Sequence, residues 1–274
     1  MQPSDLPDVT TVSQRPRTTE SRDARERLVG WYCSAGPGTC SRCTGRKQYA
    51  PIGGTTPEPV PAFMTYVGRK YGEDGCLPLL FVGLNPRLED EWVDSCQVVE
   101  LALWWEYKVY AWLDYRLGPV LEAIAPLAEA IWTRASGREP PADGRRIGRV
   151  AFTNIVKCAR CDAGDHAPTE EMERNCLPFL AEEIRILEPG LVVTFGNEVW
   201  DVLATAVDTP GPAGLAFSVG DKDTHAAVTV DERTIPVLTL PHPSGRSSES
   251  SPEAYVESAW FGKALDRCLR LAGE

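Results

Sequence analysis

Nine cysteines stand in 274 residues, and six of them form two groups: Cys33, Cys40 and Cys43 near the N-terminus, and Cys158, Cys161 and Cys176 beyond the middle. In a reducing compartment such thiols read as free thiols or metal ligands rather than disulfides. Cys76, Cys96 and Cys268 stand alone beside apolar residues and read as small core residues. The remaining residues able to do chemistry end short apolar runs: Gly83-Leu84-Asn85-Pro86, Asn154 followed by Lys157-Cys158, Gly196-Asn197, and His242-Pro243-Ser244-Gly245. An imidazole can move a proton or stabilise an anion, and a side-chain amide offers a donor and an acceptor together.

Those residues need a scaffold to bring them together, and the apolar runs supply it. Residues 79–84 (LLFVGL), 150–156 (VAFTNIV), 191–195 (LVVTF) and 235–240 (IPVLTL) are β-branched or aromatic and too short for helices. Their nearly unbroken apolarity predicts strands buried on both faces. Helical patterns lie between them: an apolar-aromatic periodicity over 98–130, a segment 169–187 opened by the capping signature Thr-Glu-Glu-Met-Glu, and a third helix after Gly196. This alternation predicts an α/β fold, a three-layer α/β/α sandwich around a central four-stranded parallel sheet. Ligands of such sheets bind beyond the carboxyl ends of the strands, so all four polar tips are expected to face one cleft.

Residues 1–27 are rich in Ser, Thr, Pro, Arg and acids, and are expected to be a disordered tail. Residues 28–62 are dense in Cys, Gly and Pro, as suits a loop-rich, metal-binding N-terminal segment packed on a single domain spanning 28–274. The formal charge of −11 argues against indiscriminate binding to nucleic acid or anionic membrane, so a polyanionic partner must meet a local patch. Five arginines between residues 134 and 149 are one such patch. No uncharged apolar stretch of membrane-spanning length and no signal-peptide order is present, and the expectation is a cytoplasmic monomer.

In order along the chain, Phe81-Val82-Gly83-Leu84-Asn85-Pro86, Thr153-Asn154-Ile155-Val156-Lys157-Cys158, Cys176-Leu177-Pro178-Phe179-Leu180 and His242-Pro243-Ser244 resemble the motifs of the uracil-DNA glycosylase superfamily. The resemblance covers about residues 33–265 and is nearest to the iron–sulfur, family 4-like branch; Asn85 in the first motif looks more like the mismatch-specific and single-strand-selective branches. It implies hydrolysis of the N-glycosidic bond of a flipped, deaminated base, most simply uracil, leaving an abasic site in base-excision repair. The reaction needs water at C1′ and stabilisation of the charge that departs with the base.

By this resemblance, Asn85 holds the attacking water and His242 stabilises the base anion, while Asn154 reads the base edge. Gly83 and Pro86 shape the pocket, and Ser244 and Arg246 follow the DNA backbone; the family's stacking aromatic has no clear match, and Trp92, the aromatic nearest the first motif, is the candidate stacking partner. Cys40, Cys43, Cys158 and Cys176 match the positions that hold a [4Fe–4S] cluster, although the same four thiols could take Zn²⁺, and Cys33 or Cys161 could replace one of them. The partner implied is DNA containing a damaged or modified base. Three alternatives stay open: a glycosylase for another modified base, a noncatalytic iron–sulfur or zinc protein that binds nucleic acid, and, given the overall acidity, a hydrolase of a small nucleoside or nucleotide.

Overall fold

Alternation within the apolar runs decides the architecture. Along the first run, Leu79 and Phe81 contribute to one hydrophobic cluster while Leu80 and Val82 contribute to the other, as a strand buried on both faces requires. The computed structural model describes residues 19–36, 43, 48–49, 58–59, 65–68, 70–73, 75–84, 119–137, 146–158, 167–205, 218–219, 226–230, 232–242 and 252–272.

Nine strands are found among these residues: β1 Gln48–Tyr49, β2 Glu58–Pro59, β3 Tyr66–Val67, β4 Leu79–Gly83, β5 Val150–Asn154, β6 Leu191–Phe195, β7 Ser218–Val219, β8 Ala227–Val230 and β9 Arg233–Leu240. The described helices are α1 Thr19–Ser34, α2 Pro119–Ser136, α3 Glu170–Leu187, α4 Asn197–Thr205, α5 Pro252–Glu257 and α6 Ala259–Ala272. β1 and β2 pair with each other, and the other seven strands form one mixed sheet in the order β3-β5-β4-β6-β9-β8-β7. Its centre, β5-β4-β6-β9, is parallel. β3 adds antiparallel to β5 at one edge, and β8 and β7 add antiparallel beyond β9.

The sheet is therefore mixed and wider than the four-stranded parallel sheet expected. β3 and β7 are two residues long, and so short a piece leaves no period to read in a sequence. The helices cover both faces. Ile124, Leu127, Ile131 and Trp132 of α2, with Tyr255 of α5 and Phe261 and Leu265 of α6, pack on Phe81, Phe152, Val193 and Leu238. Leu28 of α1, Met172, Leu180 and Ile184 of α3, and Val199 and Leu203 of α4 pack on Leu80, Ala151, Val192 and Val237.

α3 starts where its capping signature predicts: the Thr169 hydroxyl accepts from the Met172 N–H at 3.2 Å, and Glu170, Glu171 and Glu173 sit at the positive end of the helix dipole. α2 begins on Pro119, whose fixed φ and missing N–H suit a first helical position; residues 98–118 of the expected longer helix lie outside the described residues.

The N-terminal expectation needs correction. Residues 19–27, assigned to a disordered tail, form the first half of α1; residues 1–18 lie outside the described residues. Ala24, Leu28 and Tyr32, spaced four apart, make a buried stripe facing α3, Trp31 beside it packs edge-on against Phe179, and Arg27 Nη2 donates to the Ile186 carbonyl at 2.9 Å. So narrow a stripe does not register in average composition. No helix among the described residues is long and apolar enough to cross a membrane.

Phe81 is fully buried and stacks on Phe195 of the neighbouring strand, with ring centroids 5.8 Å apart. Phe81→Ala should cost about 3–5 kcal/mol, read as a lower urea midpoint with unchanged slope; a loss below about 1 kcal/mol would mean that the two rings do not share one core.

Candidate active site

The parallel ladder between β4 and β5 sets Gly83 directly opposite Asn154 at the carboxyl ends of the two strands. It runs on past them, with Ile155 N–H donating to the Gly83 carbonyl at 2.9 Å and Val156 N–H to the Leu84 carbonyl at 2.8 Å. A β-carbon placed on Gly83 would lie 2.4 Å from Asn154 Oδ1, so the bare Gly83 backbone is what gives the Asn154 amide its room. Asn154 is partly exposed at this end of the sheet.

Two strands across, β6 is followed by Gly196, whose φ of +93° favours glycine and whose N–H donates to the Leu240 carbonyl at 2.7 Å. β9 then delivers His242, exposed, beside Gly196. Asn154, Gly83, Gly196 and His242 thus lie along the same end of four adjacent parallel strands. Three strand spacings separate the outer two, about 14 Å between backbones. A cavity of about 410 Å³ lined by Asn197, Leu240, Pro241, Trp260, Arg267 and Cys268 touches the histidine end of this row but neither Asn154 nor Gly83.

Tyr255 is a contributor that the sequence did not single out. Its hydroxyl donates to the Pro241 carbonyl at 3.1 Å, fixing the chain one residue before His242. Burial pushes the Tyr255 phenol above its ordinary pKa and keeps it protonated as a donor. In the sequence it is one aromatic of a C-terminal helix, with nothing to mark which carbonyl it would reach.

Lys157 does not face the cleft as a strand-tip residue was expected to. It is 1 % exposed, and its ammonium donates to Glu183 Oε2 at 2.6 Å, to Thr153 Oγ1 at 2.6 Å and to the Asn154 carbonyl. The Thr153 hydroxyl in turn donates to Glu183 Oε2 at 2.9 Å and accepts from Thr65 at 3.0 Å. A lysine inside an apolar layer needs every proton satisfied, and these three acceptors satisfy all three.

Cys158 follows at once. Cys43, Cys158 and Cys176 are all buried in the cluster between α1, α3 and the sheet, and the Asn175 amide donates to Cys43 Sγ at 3.4 Å. Burial pushes the Cys176 thiol up to about 12; a hydrogen bond from the Lys157 backbone N–H pulls the other way, and Cys158 and Cys43 are close enough to act on it electrostatically. Three buried thiols within electrostatic reach, one accepting from a backbone N–H, are the donor chemistry that an iron–sulfur centre or a thiolate zinc site uses. No group of three or more His, Cys, Asp or Glu among the described residues is closed around a single point.

Asn85, Pro86, Trp92, Ser244, Arg246 and Cys40 lie outside the described residues, as do Cys161 and Cys96; nothing is described of the Cys33 side chain. Cys268 is buried and Cys76 partly buried against the core, as expected of isolated cysteines. The arginine patch is altered. Arg134 grips Asp266 through two 2.7 Å hydrogen bonds, and Arg149 is buried at the start of β5, so neither is a free cation for a phosphate.

Comparison with curated proteins finds no match. The model of the uracil DNA glycosylase superfamily matches residues 69–262, more than half of the chain, from before β4 to the first turn of α6. The chain therefore belongs to the uracil DNA glycosylase superfamily, and is by family a DNA glycosylase, a hydrolase of N-glycosyl bonds.

Proposed function

We propose that this protein is a monofunctional glycosylase that hydrolyses a flipped, deaminated base, most simply uracil, off the DNA and leaves an abasic site for base-excision repair. The observation that carries the reading is the Asn154 amide seated against Gly83 at the carboxyl end of the parallel sheet, with His242 at the same end. A fixed amide can present its N–H and C=O to the O4 and N3 edge of a uracil; a freely rotating one would discriminate poorly. His242 serves the departing base. A base that leaves as an anion needs a donor at its O2 more than it needs a strong acid, and an imidazole N–H supplies one. Asn85 is proposed to orient the water, Pro86 and Trp92 to complete the pocket, and Ser244 and Arg246 to hold the backbone of the DNA.

Cys40, Cys43, Cys158 and Cys176 are proposed to hold a [4Fe–4S] cluster, with zinc as the alternative. The buried thiols and the Lys157 N–H on Cys176 support this reading. Such a centre, when bound, supplies a cross-link between the N-terminal segment and the sheet rather than a reacting group. Cys43 would tie the segment after α1 to the residues following β5 and to α3.

An oligonucleotide panel carrying uracil, hypoxanthine or xanthine in single and double strands, followed by alkali, tests the activity directly. The wild type should convert the uracil strand to abasic product, and no conversion on any substrate would remove the repair reading in favour of a noncatalytic binder. His242→Ala should slow single-turnover excision about 100- to 1,000-fold. Gly83→Ala should slow it as Asn154→Ala does while leaving the melting temperature nearly unchanged, because the added β-carbon clashes only with the far end of the Asn154 side chain and meets the Phe152 ring at an ordinary 3.7 Å. For the metal, anaerobically purified protein should carry about four iron atoms per chain with broad visible absorption, both lost in Cys158→Ser; a colourless sample with zinc would assign the alternative.

A further inference from the structure

A buried lysine–glutamate pair is a poor way to stabilise a fold. Desolvating both charges costs about as much as their attraction returns, and well-packed apolar side chains of similar volume do as well or better. Lys157 and Glu183 are each 1 % exposed, in a layer otherwise built from residues such as Leu80, Ile155 and Leu180. Their contacts point in one direction. The Lys157 ammonium holds the carbonyl of Asn154, while Glu183 holds both that ammonium and the hydroxyl of Thr153, the residue just before it. Thr65, next to the edge strand β3, closes the network from the other side.

We infer that Lys157, Glu183 and Thr153 are positioning residues that clamp the end of β5 and thereby aim the Asn154 side chain at the base. Strand alternation puts Thr153 on the face toward α3 and Asn154 on the opposite one, so a clamp on the Thr153 hydroxyl and the Asn154 carbonyl fixes the backbone from behind without entering the pocket. Gly83 limits the amide from one side and the clamp sets where it starts. The inference rests on Asn154 as the base reader, and the same clamp reaches the thiols, since the Lys157 backbone N–H donates to Cys176.

The test uses the full chain, purified anaerobically, with three variants made in the wild-type and Asn154→Ala backgrounds. Replacing the pair by apolar side chains (Lys157→Met with Glu183→Leu) avoids leaving one charge buried alone; Thr153→Val, with Thr153→Ser as the restoring variant, is the second route should the pair variant not fold. Each clamp variant should bind undamaged duplex within about twofold of wild type and excise uracil about 10- to 100-fold more slowly, with Thr153→Ser recovering most of the rate. In an Asn154→Ala background the same changes should alter excision by less than about twofold, because they act through a group already removed. The side-chain amide resonances of Asn154 in ¹⁵N-labelled protein should shift in the clamp variants whether or not the protein excises any base tested. A folded clamp variant with wild-type Asn154 amide resonances, or a rate loss that simply adds to that of Asn154→Ala, would overturn the clamp. Shifted resonances in a protein inactive on every substrate would support the clamp and sink the uracil reading instead.

Discussion

Gly83 and Asn154 face each other across the ladder of β4 and β5, and the missing β-carbon on one leaves the space for the amide of the other. That single register joins the first motif of the chain to the second. Because side chains alternate along a strand, a slip of one residue would turn Asn154 into the layer beneath α3 and bring Thr153 to the pocket side. The two hydrogen bonds that continue the ladder past Gly83 and Asn154 oppose such a slip at the point where it would do most harm.

Around this point the molecule keeps polar groups where an apolar core would be simpler. The ammonium of Lys157 and the carboxylate of Glu183 sit beside fully buried aliphatic side chains, and the thiols of Cys43, Cys158 and Cys176 lie in the same layer. The residues after β5 therefore serve two neighbours at once. Their carbonyl side belongs to the strand end that carries Asn154, and their next residue, Cys158, belongs to the thiol group. A proposed metal centre would thus lie only four residues along the chain from the proposed base reader.

Charge is used in the same economical way. A chain with eleven more acids than bases can meet DNA only through selected cations, and two arginines of its most basic stretch are already committed, Arg134 to Asp266 and Arg149 to the interior. Fewer phosphate contacts would leave recognition to the pocket more than to general attraction, with low nonspecific affinity and a shallow salt dependence.

By itself the sequence determined the four central strands and α3, because runs such as LLFVGL and LVVTF are too apolar to face water and the Thr169 cap declares a helix start. It also placed Asn154 and His242 at strand ends, since the polar residue that closes an apolar run marks where the strand leaves the core. It could not announce α1, whose first half is almost all charged or polar with Ala24 alone buried among its described residues, nor the two-residue edge strands β3 and β7. Nor could it place Lys157 inside. A lysine reads as a surface residue until its acceptors are known, and here they come from 26 residues away on α3, from Thr153 and from the Asn154 carbonyl. Local pattern fixes which residues must be buried; only the packing of distant elements decides which polar groups are buried with them, because a buried charge is tolerable only where the whole fold brings its partners.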